Sequence, residues 1–462
     1  MLSNDPAHIK KLFFILLAFL VIFTIAMMRT RESGGDPGKT QLVWVTDKNP
    51  LRDEQIALFS KLHPKVEINM DPSNGDAQKV IVQSLAGVGP DVFDYWGDAA
   101  FDSFIRSGVA LDLTSELSRR GIIPARDWWP LAIPWTVTPQ GRVYGVPANV
   151  GINALWLDRD KFNAADVPLP KDNWSLQDLI ETAQKLTIRG KDGSTTQYGL
   201  LFDFGDAYRS WLPSFGGSLF DTAGTKCTLD SPESVACLTF IDDLIYKYKV
   251  SPSPDDEQSI TTVGDWGGLG AMAYFRKGLG AMAVGGRWWL AQLRGDVRDH
   301  GLHLGSVTLP IAKFPRFNGG GARAVMVNSL SRHRSEAIDF VAFLAQEDYG
   351  DLLNDQADAL AALRRLAYTD RYLHNPRDPG QDIHGAFRKM LEMGVPLTES
   401  PYVEPTEVDD LLNAQLDLVK LHQKTPWQGL HDATANITRL MKRNIERDSA
   451  LRARFLAAGG NL

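Results

Sequence analysis

From Gln41 onward the apolar positions alternate between two rhythms. Gln41 to Val45 is a short β-prone run, and Asp53 to Leu62 places Ile56, Phe59 and Leu62 on one helical face. His63-Pro64 stops that helix, Val66 to Met70 is a second strand, and Gln78 to Leu85 is again helical. Gly89-Pro90-Asp91 turns into a third strand that ends in Asp94-Tyr95-Trp96-Gly97-Asp98. Strands alternating with helices predict an α/β fold with a parallel sheet, and ligands of such sheets lie beyond the carboxyl ends of the strands. Asp47, Lys48, Tyr95, Trp96 and Asp98 then share one rim.

The pattern breaks between Gly141 and Asp158. Val143, Tyr144 and Val146 are β-prone, with Gly145 and Pro147 as breakers, and a second apolar strand runs from Ile152 to Leu157. Two extended pieces with no room for a helix between them suit a chain crossing from one lobe to another, where a few terminal residues absorb the rotation. Beyond it, Trp174 to Leu186 is helical with Ser175 as N-cap and Asp178 three residues on, a capping-box spacing. Tyr198 to Phe202 is a strand opening on Tyr208, Arg209 and Trp211, and Ser231 to Tyr248 is a helix. Lys277 to Trp289 reads as a buried strand, the pair Gly285-Gly286, then Arg287-Trp288-Trp289 opening a helix. The two glycines admit close approach of a ligand to backbone N–H groups, with Trp288 as a stacking wall. A helix follows at Glu336 to Leu344, and from Asp351 the chain is mostly helical, with a proline-rich break at Pro396 to Pro405.

The start of the chain is different. Leu12 to Met28 is apolar except for Thr24, behind Lys10-Lys11 and ahead of Arg29 and Arg31. At ~1.5 Å per residue it reaches ~26 Å, close to a ~30 Å hydrocarbon core. This is an export segment. With no Ala-x-Ala site and no lipid-accepting cysteine after it, the expectation is an uncleaved anchor holding the body on the extracytoplasmic face of the inner membrane. Ser33 to Thr40 is then a linker; its Gly38-Lys39-Thr40 precedes a strand instead of following one, which removes a phosphate-loop reading.

Composition narrows the chemistry. The 462 residues allow two or three domains or one large two-lobed body. The formal charge of -7, with no Lys/Arg-rich block, argues against nucleic acid as a partner. The 12 Trp supply flat amphipathic faces of the kind on which sugar rings stack. Cys227 and Cys237 form an even pair that could close a small disulfide loop in an exported chain. His300 and His303 have ligand-like spacing, but Gly301 between them and the missing partner motif point to a surface turn, so no metal is expected. No Gly-x-Ser-x-Gly elbow or His-Glu-x-x-His occurs, and no cofactor is implied.

The Gly141–Pro147 segment, Gly89-Pro-Asp-Val, Gly108 to Leu113, Trp174-Ser175 with Ala183 to Leu186, and Gly278-x-x-Ala281-Met282 with Gly286-x-Trp288 occur in the order and spacing of one family. Over about residues 40 to 445 the chain resembles the extracellular solute-binding proteins that feed sugar ABC importers. The resemblance implies a two-lobed periplasmic-binding fold (type II) with a hinge and an interlobe ligand cleft, preceded here by the N-terminal membrane segment. It divides the chain into residues 1–38 as segment and linker, 39–148 plus about 315–365 as the first lobe, and 149–314 plus about 366–462 as the second. Gly305 to Pro310 resembles the return crossing, and Gly319 to Gly321 opens the next strand.

Carried over by position, Asp47, Lys48, Tyr95 and Asp98 are first-lobe sugar contacts, and Tyr208, Trp211 and Trp288 second-lobe contacts. Asn149 and Asn153 lie near the crossing, and Arg323 follows the glycine-rich turn. Gly151 or Ile152 stands where the maltose-binding relative has an acidic contact, which argues against a maltodextrin in particular. Lys48, Arg287 and Arg323 as cleft cations leave a phosphorylated or acidic sugar open. The expectation is a monomeric binding protein, not an enzyme, that closes on a carbohydrate and delivers it to an ABC permease. An anchored ligand-sensing module for a signalling partner, or a secreted glycoside-acting enzyme, are the alternatives.

Overall fold

The computed structural model describes residues 36, 38–72, 77–96, 98–259 and 270–461, with residues 98–100 and 259 described by their backbone alone. The apolar run at Leu12 to Met28 lies outside the described residues. Within them, no helix is long and apolar enough to cross a membrane.

Among the described residues, nine strands form one continuous sheet. They are β1 (Thr40–Val45), β2 (Val66–Asp71), β3 (Val92–Tyr95), β4 (Gly145–Asp158), β5 (Ile188–Arg189), β6 (Thr195–Leu201), β7 (Gly280–Gly286), β8 (Leu304–Val307) and β9 (Gly320–Val327). The order is β2-β1-β3-β9-β4-β7-β6-β5, with β8 also on β4. In the first lobe β1 runs parallel to β2 and β3, as the strand–helix alternation requires. In the second lobe β6 runs parallel to β7.

β4 joins the lobes. Its Gly145–Ile152 part pairs with β9, and its Asn153–Leu157 part pairs with β7. The two extended pieces expected from sequence are therefore one strand of 14 residues, every one buried. Pro147, which cannot donate to a ladder, is absorbed by a register shift between Pro147 and Asn149. The return crossing also differs from expectation. The segment around Gly305 is β8, which pairs with Leu155–Asp158 inside the second lobe, whereas the chain returns through β9 to pair with β3.

Helices cover both faces. Among them are α1 (Leu51–Leu62), α2 (Asp98–Arg106), α3 (Leu176–Leu186), α4 (Phe204–Phe215), α5 (Pro232–Tyr246), α6 (Leu290–His300), α7 (Arg334–Phe343), α8 (Glu347–Gln356) and α9 (Pro405–Lys420). The Ser175–Asp178 capping box forms as the spacing predicts and starts α3. The large core packs Trp44, Phe59, Trp156, Trp211 and Phe340 among its members, while a smaller cluster of Phe93, Tyr95, Phe101 and Phe104 seals the other face of the first-lobe sheet. Cys227 and Cys237 are both free and buried, so the pair forms no disulfide. No group of His, Cys, Asp or Glu fit for a metal occurs among the described residues, and His303 sits on the surface beside Asp160 at 3.0 Å.

Candidate ligand cleft

The carboxyl ends of β1 and β3 in one lobe, and of β6 and β7 in the other, carry the chemistry. At the end of β7 the glycine pair does its work differently from expectation. A Cβ on Gly286 would lie 1.9 Å from Cζ3 of Trp288, and one on Gly285 would lie 2.3 Å from Cζ2 of Trp289. The close approach that demands glycine is thus made by the chain's own indoles, not by a ligand. The Trp288 ring also covers Gly151 on β4, where a Cβ would meet Cζ3 at 2.8 Å. Half-buried and laid on two glycines, the indole forms a wall at the crossing between the lobes. Asn149, Gly151 and Asn153 alternate along β4 and so share the face on which this indole rests. Asn153 donates from Nδ2 to Ser210 Oγ at 3.1 Å, and Asn149 Oδ1 accepts from the Arg323 N–H at 3.3 Å.

The first-lobe rim contains Asp47, exposed Lys48 and Trp96, the last 46% exposed. Asp47 takes bonds from Arg52 Nε at 2.9 Å, Arg52 Nη2 at 2.7 Å and Thr46 Oγ1 at 3.2 Å, all on Oδ1. Asp98 begins α2 at this rim, and its side chain is outside the described residues.

Four expected contacts are placed in the interior instead. Tyr95 is 3% exposed and donates its hydroxyl to the Trp135 carbonyl, because strand alternation turns Tyr95 inward and Trp96 outward. Tyr208 and Trp211 have no exposed surface, and the Trp211 indole N–H is spent on the Pro310 carbonyl at 3.0 Å. Arg323 is 2% exposed, with Nη1 on Asp94 Oδ2 at 2.8 Å and Nη2 on the Tyr349 hydroxyl at 3.0 Å. Asp94 is held in turn by the Trp44 indole N–H at 2.6 Å and Thr46 Oγ1 at 2.5 Å. Arg287, the third cation considered from sequence, is also fully buried. Of those three cations only Lys48 faces solvent.

Two residues that sequence reasoning passed over stand at the end of β6. Asp203 and Asp206 are solvent-exposed, yet burial among protein atoms raises the pKa of both carboxyls. Asp203 Oδ1 accepts from the Ala271 N–H at 3.2 Å. The signal was available: both acids follow directly on a strand end in a parallel sheet. Arg106 on α2 meets Glu404, at the start of α9, at 2.9 Å; both side chains are exposed.

An indole wall, two strand amides and a set of carboxylates can bind a polar, ring-bearing solute without covalent chemistry. The comparisons agree in kind. A family model described as bacterial extracellular solute-binding protein matches residues 45–351. A binding protein of Brucella abortus (strain 2308) is 22% identical over 439 residues, covering 93% of this chain and 98% of that one. Among solved structures, the ABC substrate-binding protein Lmo0181 of Listeria monocytogenes, in complex with cycloalternan, superposes with a TM-score of 0.73. It is 22% identical and covers 87% of this chain and 99% of that one. The maltose/maltodextrin-binding domain MalE of Bdellovibrio bacteriovorus, bound to maltotriose, gives 0.68 at 20% identity, over 88% of this chain and 100% of that one. With a matching model over residues 45–351 and a shared two-lobed fold, the chain belongs to the bacterial extracellular solute-binding proteins.

Proposed function

We propose that this protein binds a carbohydrate between its lobes and delivers it to an ABC-type importer. The observation that carries the reading is Trp288, a half-buried indole seated on Gly151 and Gly286 where the chain crosses between lobes. An apolar ring face beside amides and carboxylates is what a pyranose needs: C–H groups stack on the indole, and hydroxyls exchange water for fixed acceptors and donors. Asn149 and Asn153 on the floor, Asp203 and Asp206 on the second lobe, and Asp47, Lys48, Trp96 and Asp98 on the first form the proposed contact set. Tyr95 serves this set by holding the Trp135 backbone, and Tyr208 and Trp211 by supporting α4 from inside. Ligand contact with both lobes favours the closed form over the open one. The Leu12 to Met28 run keeps the body at the outer face of the membrane, beside the permease. The similar proteins from Listeria and Bdellovibrio, whose structures hold cycloalternan and maltotriose, support the ligand class.

A thermal-shift screen of the full chain in mild detergent tests this reading. The panel is maltotriose, mannotriose, arabino-oligosaccharides, cycloalternan, monosaccharides, sugar phosphates, amino acids and peptides. A native-state ligand at 100 times its Kd adds about 2.7 kcal/mol, so a genuine ligand gives a clear rise in Tm. The reading predicts a rise with a neutral carbohydrate; a response confined to peptides or amino acids would sink it.

A further inference from the structure

Arg287 precedes Trp288, yet its side chain turns away from the cleft and has no exposed surface. Nη1 donates to the Ala359 carbonyl at 2.7 Å and Nη2 to the Asn354 carbonyl at 2.8 Å. Nε donates to His384 Nδ1 at 3.2 Å, and the cation lies 4.9 Å over the Tyr372 ring. One helix further on, Arg294 of α6 reaches the same segment, donating to the carbonyls of Gln356 and Asp355, each at 2.7 Å. Two second-lobe guanidinium groups thus collect the carbonyls at the C-terminus of α8, where a cation also meets the favourable end of the helix dipole.

The receiving segment, residues 354–360, belongs to the first lobe. α8 packs on α1. Gln356 accepts from Gln55 Nε2 at 3.0 Å and donates to the Leu51 carbonyl at 3.1 Å, and Asp358 is ion-paired with Arg52. That same Arg52 holds Asp47 on the rim. Leu360 and Val150 exchange backbone bonds of 2.8 and 3.0 Å, which fastens the bend to β4. Ala357 and Ala359 both adopt φ of 63°, a left-handed conformation that a side chain disfavours and that endures only where the surroundings fix it.

Resting on the carbohydrate-binding reading for its purpose, we infer that Arg287 is a positioning residue. It clamps the Trp288 wall to the first-lobe bend at 354–360, a buried tie between the lobes beside the exposed Arg106–Glu404 contact. The two contacts differ in kind. Separating Arg287 from its carbonyls strands a cation inside the protein, whereas the exposed Arg106–Glu404 pair exchanges for water at little cost.

The test uses the full chain labelled with 5-fluorotryptophan, without ligand, and reads the ¹⁹F resonances of Trp288 and Trp211, assigned through Trp288→Phe and Trp211→Phe. In Arg287→Met the Trp288 resonance shifts and broadens while that of Trp211 stays in place. Arg287→Lys, which keeps the charge but loses the planar fork, gives a smaller change and decides the matter alone should the Met variant not fold. An unmoved Trp288 resonance in a folded variant overturns the inference. In titrations with maltotriose and mannotriose, Arg287→Lys weakens binding about tenfold when Trp288 is present and less than twofold in a Trp288→Ala background. Equal losses in both backgrounds indicate a merely structural arginine and also overturn it. Because the resonances are read without ligand, a protein that binds no carbohydrate of the panel defeats the proposed function while leaving this inference to be decided by the spectrum.

Discussion

At the scale of single residues, the cleft is built by making room. Gly151 exists where the Trp288 ring must lie, so Gly151→Ala drives a methyl group to 2.8 Å from that ring. Overpacking of this kind costs about 1–3 kcal/mol, but here an indole at the cleft can yield. Gly151→Ala is expected to lower Tm by only a few degrees and to weaken sugar binding at least tenfold, as read by calorimetry and thermal melts. An unaltered affinity would separate Trp288 from the ligand. His384 gives a second residue-level prediction. Two Arg287 N–H groups point at its Nδ1, so that nitrogen accepts and the proton rests on Nε2, 3.4 Å from Asp378. Burial, then the Arg287 charge, pulls the imidazole pKa down to about 4. Burial raises the Asp378 carboxyl, but bonds to Arg294 and His384 outweigh it and hold it at about 2. An unfolded histidine titrates near ~6.5, so between that value and about 4 the unfolded chain binds the extra proton. Stability from this group is complete above pH ~6.5 and is lost as pH falls towards 4. Urea melts at pH 7.0, 5.5 and 4.5 should show His384→Gln with a flatter decline than wild type; parallel declines would refute the assignment. Residue identity alone did not separate wall from core. A glycine pair announces close approach, yet nothing local says whether a ligand or the next tryptophan fills the space.

At the scale of elements, periodicity held more than was drawn from it. On α4, Tyr208, Trp211, Leu212 and Phe215 are spaced i, i+3, i+4, i+7, which marks the stripe that packs inward. Aromatic type suggested sugar contacts there, whereas the spacing already assigned them to the core and left Asp206 on the other side. The strands at the amino-terminal end were legible because alternation and turn residues agreed. β4 was not legible as one strand, because Pro147 reads as a break locally and only pairing with β9 shows that it is bridged by a bulge. The Arg287–Asn354 and Arg52–Asp358 links join residues 67 and 306 positions apart, and no local pattern announces such partners. The Arg106–Glu404 pair joins α2 to the start of α9. An exposed pair contributes at most about 1 kcal/mol, and less in salt. Arg106→Ala should therefore leave Tm within about a degree and raise the ligand dissociation rate severalfold in stopped-flow fluorescence at low salt. A dissociation rate that does not respond would mean that the pair plays no part in holding the closed form.

At the scale of the molecule, one sheet runs through both lobes, and the lobes differ in how they are joined along their shared boundary. They are held by two crossing strands, by the 354–360 bend with its buried guanidinium groups, and by one exposed ion pair. The central claim is that this solute is a carbohydrate held against Trp288. Calorimetric titration of wild type and Trp288→Ala with the carbohydrate giving the largest thermal shift tests it most directly. Loss of one stacked indole should weaken binding by at least thirtyfold while leaving Tm within a few degrees, since the ring is half-buried and only borders the core. Equal affinity for the two proteins, with both folded, would contradict the claim and place the ligand elsewhere.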